Sequence, residues 1–172
     1  MPQIWGRWWG GTLKMRRITR KERNLIKEYL GKVKVDIEGL EGVLVCIGKK
    51  VFLVDENVLR TAEEIEKKSG VAPYALGVEI GTVSKGFEPS IELADIISNY
   101  TDEKAIVTEE GEKLFSYGRD VFLQNIVKGK TEGEKVVVNE RKEVLGFGFF
   151  DGEMLKNVID KGFYLRGKKG RR

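Results

Sequence analysis

The last third of this chain is written in short apolar runs punctuated by glycine. Gly133-Glu134-Lys135-Val136-Val137-Val138-Asn139 is followed by Leu145-Gly146-Phe147-Gly148 and then by Gly162-Phe163-Tyr164-Leu165-Arg166. Such runs are too short for amphipathic helices, and a glycine inside a strand marks a bulge or a sharp bend. The arrangement predicts strands near 121–126, 134–139, 143–150 and 158–165. Closing them into a small barrel protects their edges. Ahead of them the sequence predicts a strand over 105–108, a turn at Glu109-Glu110-Gly111 and a short helix over 112–115.

The preceding segment has a different rhythm. Thr19 with Glu22 three residues on forms a capping box, and Leu25, Ile26, Tyr29 and Leu30 supply a helical stripe that Gly31 ends. Val33, Val35 and Ile37 alternate as a strand. The apolar run 43–47, a tight turn at Gly48-Lys49-Lys50 and the run 51–54 predict a hairpin. A second helix is expected over 56–68, a strand through Leu76, Val78, Ile80 and Val83, and a third helix after Pro89. The polar stretch Asn99-Tyr100-Thr101-Asp102-Glu103 reads as a domain boundary. The expected organisation is therefore an extension at 1–14, an N-terminal α/β domain at 15–102, a barrel at 103–167 and a basic tail at 168–172. Trp5, Trp8 and Trp9 lie in the extension among Gly6, Gly10 and Gly11. That stretch reads as disordered and upstream of a natural start at Met15, with base stacking by the tryptophans as the alternative.

Composition narrows the chemistry. Hydrophobic residues make up 41% of the chain, enough for a core. Histidine is absent, which removes the usual general base, the usual zinc ligand and every Ser-His-Asp triad. Cys46, the one cysteine, sits in an apolar run and reads as a buried thiol. Gly146-Phe147-Gly148 lacks the third glycine and following helix of a dinucleotide loop, and nothing assembles a nucleophile, base and orienting group, so with histidine absent the expectation is no cofactor, no metal and no catalytic residue. No run approaches the roughly 20 apolar residues of a membrane span, and the expected setting is cytoplasmic. Charged residues at 34% with few glutamines match the hyperthermophile pattern.

Charge is unevenly placed within the net +4. Acids and bases nearly balance over 16–104, whereas 105–172 is basic. Lys161, Arg166, Lys168, Lys169, Arg171 and Arg172 follow one another with no acid between them from residue 161 to the end. Lys14, Arg16, Arg17, Arg20, Lys21 and Arg23 form a second cluster. Basic runs attract phosphate backbones, and they also serve as solvated faces. Arg119 follows Gly118 at the exit of the short helix, where glycine would admit a nucleic-acid backbone; pairing with a surface acid is the competing role. Arg166 is expected to end the last strand and meet RNA. Lys128 and Lys130 flank Gly129 and extend the basic face. Asp120 is expected to brace the loop through a backbone hydrogen bond. Phe147, Phe149, Phe150, Phe163 and Tyr164 are possible stacking surfaces, of which barrel geometry must bury at least half.

Read together, Met15-Arg16-Arg17-Ile18-Thr19, Leu76-Gly77, Gly81, Lys85, Phe87, Leu93-Ala94, Ile96-Ile97, Tyr117-Gly118, Leu145-Gly146-Phe147-Gly148 and Tyr164-Leu165-Arg166 resemble the Nip-seven family of archaeal and eukaryotic ribosome-biogenesis factors. The match spans about 15–166. It implies an α+β chain in which an N-terminal α/β domain precedes a small PUA-type mixed β-barrel. It further implies a non-enzymatic factor that binds pre-ribosomal RNA and acts in assembly of the large subunit. Its N-terminal half would engage RNA or other assembly factors. Two alternatives remain open: an accessory or targeting subunit of an RNA-modification system, and a protein-interaction scaffold. The chain departs from the family at Thr82, where a basic residue is common, and in the short segment from Gly148 to Gly162.

Overall fold

The computed structural model describes residues 13–166. Five antiparallel strands form the first sheet in chain order: β1 (Met15–Arg17), β2 (Val43–Ile47), β3 (Lys50–Val54), β4 (Val78–Val83) and β5 (Phe87–Pro89). The continuous apolar run of β2 is explained by helices on both faces of the sheet. Leu44 and Cys46 pack toward α1 (Arg20–Lys32) and α3 (Ile91–Ile97), while Val45 and Ile47 pack toward Leu59 of α2 (Glu56–Ser69). The buried Cys46 thiol is held above its ordinary pKa chiefly by that burial.

The capping box forms as the sequence predicts. The Thr19 hydroxyl accepts from the Glu22 amide at 3.2 Å, and Glu22 accepts from the Thr19 amide at 2.8 Å. Two expectations fail just beyond it. The helix runs past Gly31 to Lys32, and Val33, Val35 and Ile37 form no strand. They are buried in a tight exit in which the amides of Val33 and Val35 both donate to the Leu30 carbonyl, followed by a 3₁₀ turn at Ile37–Gly39. The alternation was that of inward-facing loop residues. The free edge of β2 is already taken by β1, with Met15 opposite Ile47 and Arg17 opposite Val45. Pro89 ends edge strand β5, where its missing N–H costs no ladder bond, and Ser90 caps α3.

The second half contains β6 (Lys104–Val107), α4 (Glu109–Ser116), β7 (Val121–Phe122), β8 (Ile126–Lys128), β9 (Gly133–Asn139), β10 (Val144–Phe150), β11 (Met154–Asp160) and α5 (Phe163–Arg166). Its sheet order is β7-β11-β10-β9-β6-β8, with β6 parallel to β9. One 3₁₀ turn, Leu123–Asn125, links β7 to β8 and so joins the two edge strands, giving a nearly closed barrel. Gly146 sits at a register shift in β10, and a Cβ there would collide with the Ile159 carbonyl oxygen. The bend at this position therefore requires glycine.

Three barrel expectations are corrected. Glu109-Glu110-Gly111 is the first turn of α4, because Thr108 caps it and the glutamates sit favourably at the positive end of the helix dipole. The strand expected near 121–126 is split by the 3₁₀ turn. The last strand runs earlier than 158–165: it ends at Asp160, opposite the Gly146 bend, and the chain turns into α5.

The two halves share one core. Ile26, Tyr29, Leu30, Leu93, Ala94 and Ile97 from the first half pack in the same apolar cluster as Val136, Val138 and Phe147 from the barrel. Tyr29 meets Phe87 edge-on at 5.5 Å between ring centroids and Phe147 at 5.8 Å. Polar clasps surround this seam. The Thr101 hydroxyl donates to the Val33 carbonyl at 2.5 Å, and Lys161 pairs with Asp95 at 2.8 Å. Glu103 receives both the exposed Lys34 and Lys135, whose side chain is only 2% exposed. The hydrogen bonds from Lys135 and then Lys34 hold the Glu103 carboxyl below its usual pKa.

Removing the partner of a buried ammonium is costly, whereas replacing the whole pair with apolar groups is not. Glu103→Ala should lower stability by about 3–5 kcal/mol in urea melts at pH 7, and a Glu103→Leu/Lys135→Met double variant should lie much closer to wild type; a single variant no worse than the double would refute this role. A second test concerns pH. Arg16 grips Glu22 through both nitrogens, at 2.8 and 2.6 Å, and with the cap holds that carboxyl at about 2. A depressed carboxylate stabilises the fold above its unfolded pKa of about 4.3, and the contribution fades as pH falls toward the folded value. Glu22→Gln should cost about 1–2 kcal/mol at pH 7, with the gap to wild type closing between pH 4 and pH 2 in the same melts.

Candidate nucleic-acid interface

The corner after α4 is set by backbone hydrogen bonds. Gly118 donates to the Phe115 carbonyl at 2.9 Å and Arg119 to the Leu114 carbonyl at 3.0 Å, with Gly118 left-handed at φ +76°. This winding turns Tyr117 outward, 72% exposed, and leaves Arg119 exposed. Among the described residues Arg119 has no ion-pair partner. Asp120 braces the corner as expected: its carboxylate accepts from the Asn157 amide at 2.9 Å.

Gly118 makes room for a different group than the sequence suggested. A Cβ there would lie 2.8 Å from Nη2 of Arg166, so the open space holds a guanidinium of this chain. Arg166 sits on α5 rather than at a strand end, and its fork is engaged. It pairs with Asp160 through both nitrogens, at 2.9 and 2.8 Å, and donates to the Ser116 carbonyl. The Asp160 side chain is 3% exposed. Arg166 therefore clasps α5 to the end of α4.

Between these helices and the β9–β10 turn lies a cleft of about 880 Å³. Glu109, Glu112 and Glu140 line it together with Lys113, Arg141 and Lys161, so its charge is mixed. Lys113 is tied to Glu109 at 3.0 Å. Arg119 and Arg166 share this corner of the barrel. Lys128 and Lys130 are not brought to the cleft. Both are exposed, at the end of β8 and in the turn after it, and Lys128 lines a separate cleft with Lys104 and Lys142. Lys168, Lys169, Arg171 and Arg172, like the tryptophans of the N-terminal extension, lie outside the described residues.

Half of the N-terminal basic cluster, three of its six cations, is engaged by the fold. Arg16 binds Glu22, Arg17 binds Glu56 at 3.1 Å, and Arg23 binds Glu38 at 2.5 Å. Of the aromatics considered for stacking, Phe147 and Phe150 are core, Phe149 and Phe163 are partly exposed, and the side chain of Tyr164 is not described. Tyr117, which the sequence marks only as part of the family resemblance, becomes a stacking candidate through its exposure at this corner. Lys104 and Lys142 were missed because only folding brings them to Lys128. Among the described residues no group of three or more acidic or cysteine side chains is placed to hold a metal ion, and no helix is long and apolar enough to cross a membrane.

Residues 15–91 match the NIP7/UPF0113 pre-PUA domain, and residues 103–169 match the UPF0113 PUA domain. A UPF0113 protein of Archaeoglobus fulgidus is 32% identical over 112 residues, 56% of this chain and 64% of that one. A UPF0113 protein of Aeropyrum pernix is 30% identical over 166 residues, 89% of this chain and 92% of that one. Among solved structures, a conserved PUA domain protein from Thermoplasma acidophilum shares the fold, with a TM-score of 0.54 at 16% identity, covering 88% of this chain and 97% of that chain. The α+β architecture with a PUA-type barrel thus stands on both sequence and fold, and the chain belongs to the NIP7/UPF0113 family, whose pre-PUA and PUA domains point at family level to RNA binding in ribosome biogenesis.

Proposed function

We propose that this protein binds pre-ribosomal RNA without catalysing a reaction on it, and acts in rRNA processing and assembly of the large ribosomal subunit in the cytoplasm. The observation that carries this is the α4–β7 corner of the PUA domain, where an exposed tyrosine stands beside an exposed arginine with no acidic partner among the described residues. A tyrosine face stacks on an unpaired base, and an unpaired guanidinium binds phosphate or stacks in turn. The basic residues Lys128, Lys130, Lys168, Lys169, Arg171 and Arg172 extend the electrostatic footprint. Arg166 serves this site indirectly, by fixing the corner.

A protein-docking role is favoured by one observation. Val58, Ile65 and Val71 are exposed along an apolar groove between α2 and the segment that follows it, remote in sequence from the barrel. That surface suits another assembly factor and is compatible with RNA binding at the other domain.

Fluorescence anisotropy with labelled single-stranded uridine- and adenine-rich RNA tests the reading. Tyr117→Ala should weaken binding by about 1–3 kcal/mol, and Arg119→Ala should reduce the slope of log K against log salt by about 0.7. Unchanged affinity and slope in both variants would overturn the assignment of this corner. Arg166→Ala behaves differently: it strands buried Asp160 and should lower stability by about 3 kcal/mol in urea melts, whereas loss of RNA affinity at unchanged stability would contradict the clasp.

A further inference from the structure

A second cleft, of about 590 Å³, opens beside the β6–β8 edge of the barrel; Lys142 of the β9–β10 turn lines it, whereas Arg141 lines the first cleft. Lys104, Lys128 and Lys142 line it with Ser98 and Asn99, and Asp102 is the one acid among the lining residues. None of the three lysines forms an ion pair among the described residues, although lysines around them do: Lys34 and Lys135 hold Glu103, Lys113 holds Glu109, and Lys161 holds Asp95. Three lysines therefore line one cleft, and Asp102 is the one acid that lines it with them.

The backbone adds an independent sign. Lys142 is left-handed at φ +66°, a conformation that turns ordinarily give to glycine or asparagine. The turn holding it is firmly built. Asn139, 2% exposed, accepts from the amides of Arg141 at 3.0 Å and Glu143 at 2.9 Å, and donates to Glu143 at 2.6 Å. A lysine in a strained position on a rigid turn costs stability that a glycine would not. Such strain, where the surroundings enforce it, accompanies functional positions.

We infer that this cleft is a second contact site for the phosphodiester backbone of the RNA. Lysine binds phosphate as a point charge and reads no base, so the site adds affinity and direction rather than sequence preference. Arg141 lines the α4–α5 cleft and its neighbour Lys142 lines this one. A strand crossing the β9–β10 turn would be held on both sides of it. The inference rests on the RNA-binding reading above.

The test uses the full chain and fluorescein-labelled oligouridylate across a salt series. Lys142→Gly relieves the backbone, so it should melt no lower than wild type, yet bind several-fold more weakly with a salt slope shallower by about 0.7. Lys104→Ala/Lys128→Ala should weaken binding further with a correspondingly shallower slope. If both variants keep wild-type affinity and slope while Arg119→Ala loses them, this cleft is refuted and the RNA reading stands. If the wild-type chain binds neither oligouridylate nor oligoadenylate, both fall. If polyglutamate of matched charge displaces the RNA as well as unlabelled RNA does, the assignment to a nucleic-acid backbone is overturned.

Discussion

Phe147 of the barrel seats edge-on against Tyr29 of the first helix, and the two halves of the chain depend on that contact. The apolar cluster around it passes without interruption from Leu44 and Ile80 of the first sheet to Val136 and Val138 of the second. Neither half could be drawn away without exposing fully buried side chains, at roughly 25 cal/mol for each Å² uncovered. Glu103 stands at the rim of this seam between a buried lysine and an exposed one. An ion pair of this kind contributes little net stability, but losing one member leaves a charge stranded, so it fixes how the halves meet. The RNA-facing corner and the basic cleft inherit their positions from this arrangement.

Charge in this chain divides into groups the fold consumes and groups it leaves over. Arg16, Arg17 and Arg23 look like a basic patch when written in a row, yet each is matched by an acid: Arg16 by Glu22 within the same stretch, Arg17 by Glu56 and Arg23 by Glu38. Arg166 closes on Asp160 in the same way. Among the described cations that no acid pairs, Arg119, Lys104, Lys128 and Lys142 belong to the barrel half of the chain. A phosphate backbone competes poorly for an arginine whose fork is already satisfied. It competes well for an unpaired lysine facing a cleft. The useful electrostatic map is therefore that of unpaired charge, and it differs from the map of basic residues in the sequence.

Local rules made much of the fold legible. The Thr19–Glu22 capping box, the β2–β3 hairpin and the glycine bends of β10 each depend on neighbours close in the chain, and each forms. Val33, Val35 and Ile37 were misread because period-two burial arises in a loop lying on a core as well as in a strand. The end of the barrel was misread because nothing near Val158 signals where β11 stops; its limit is set by the bend at Gly146 on the opposite strand. For the site, Arg119 was legible from its place beside Gly118, and Asp120 from its short reach to backbone. The structural task of Arg166 was not, since Asp160 and Ser116 reach it only once α5 folds back.

The sequence by itself determined the class of molecule: no histidine chemistry, a two-part α+β chain, and a glycine-bent barrel resembling a ribosome-biogenesis family. These follow from composition, periodicity and short-range turn chemistry, which are properties of neighbouring residues. Only the tertiary structure decided which cations remain free, that Gly118 shelters an arginine of its own chain, and that Lys104, Lys128 and Lys142 share a cleft. Those outcomes depend on pairings between residues far apart in sequence. Coulomb attraction and packing select such pairs by distance in space, and the linear order of residues does not contain that distance.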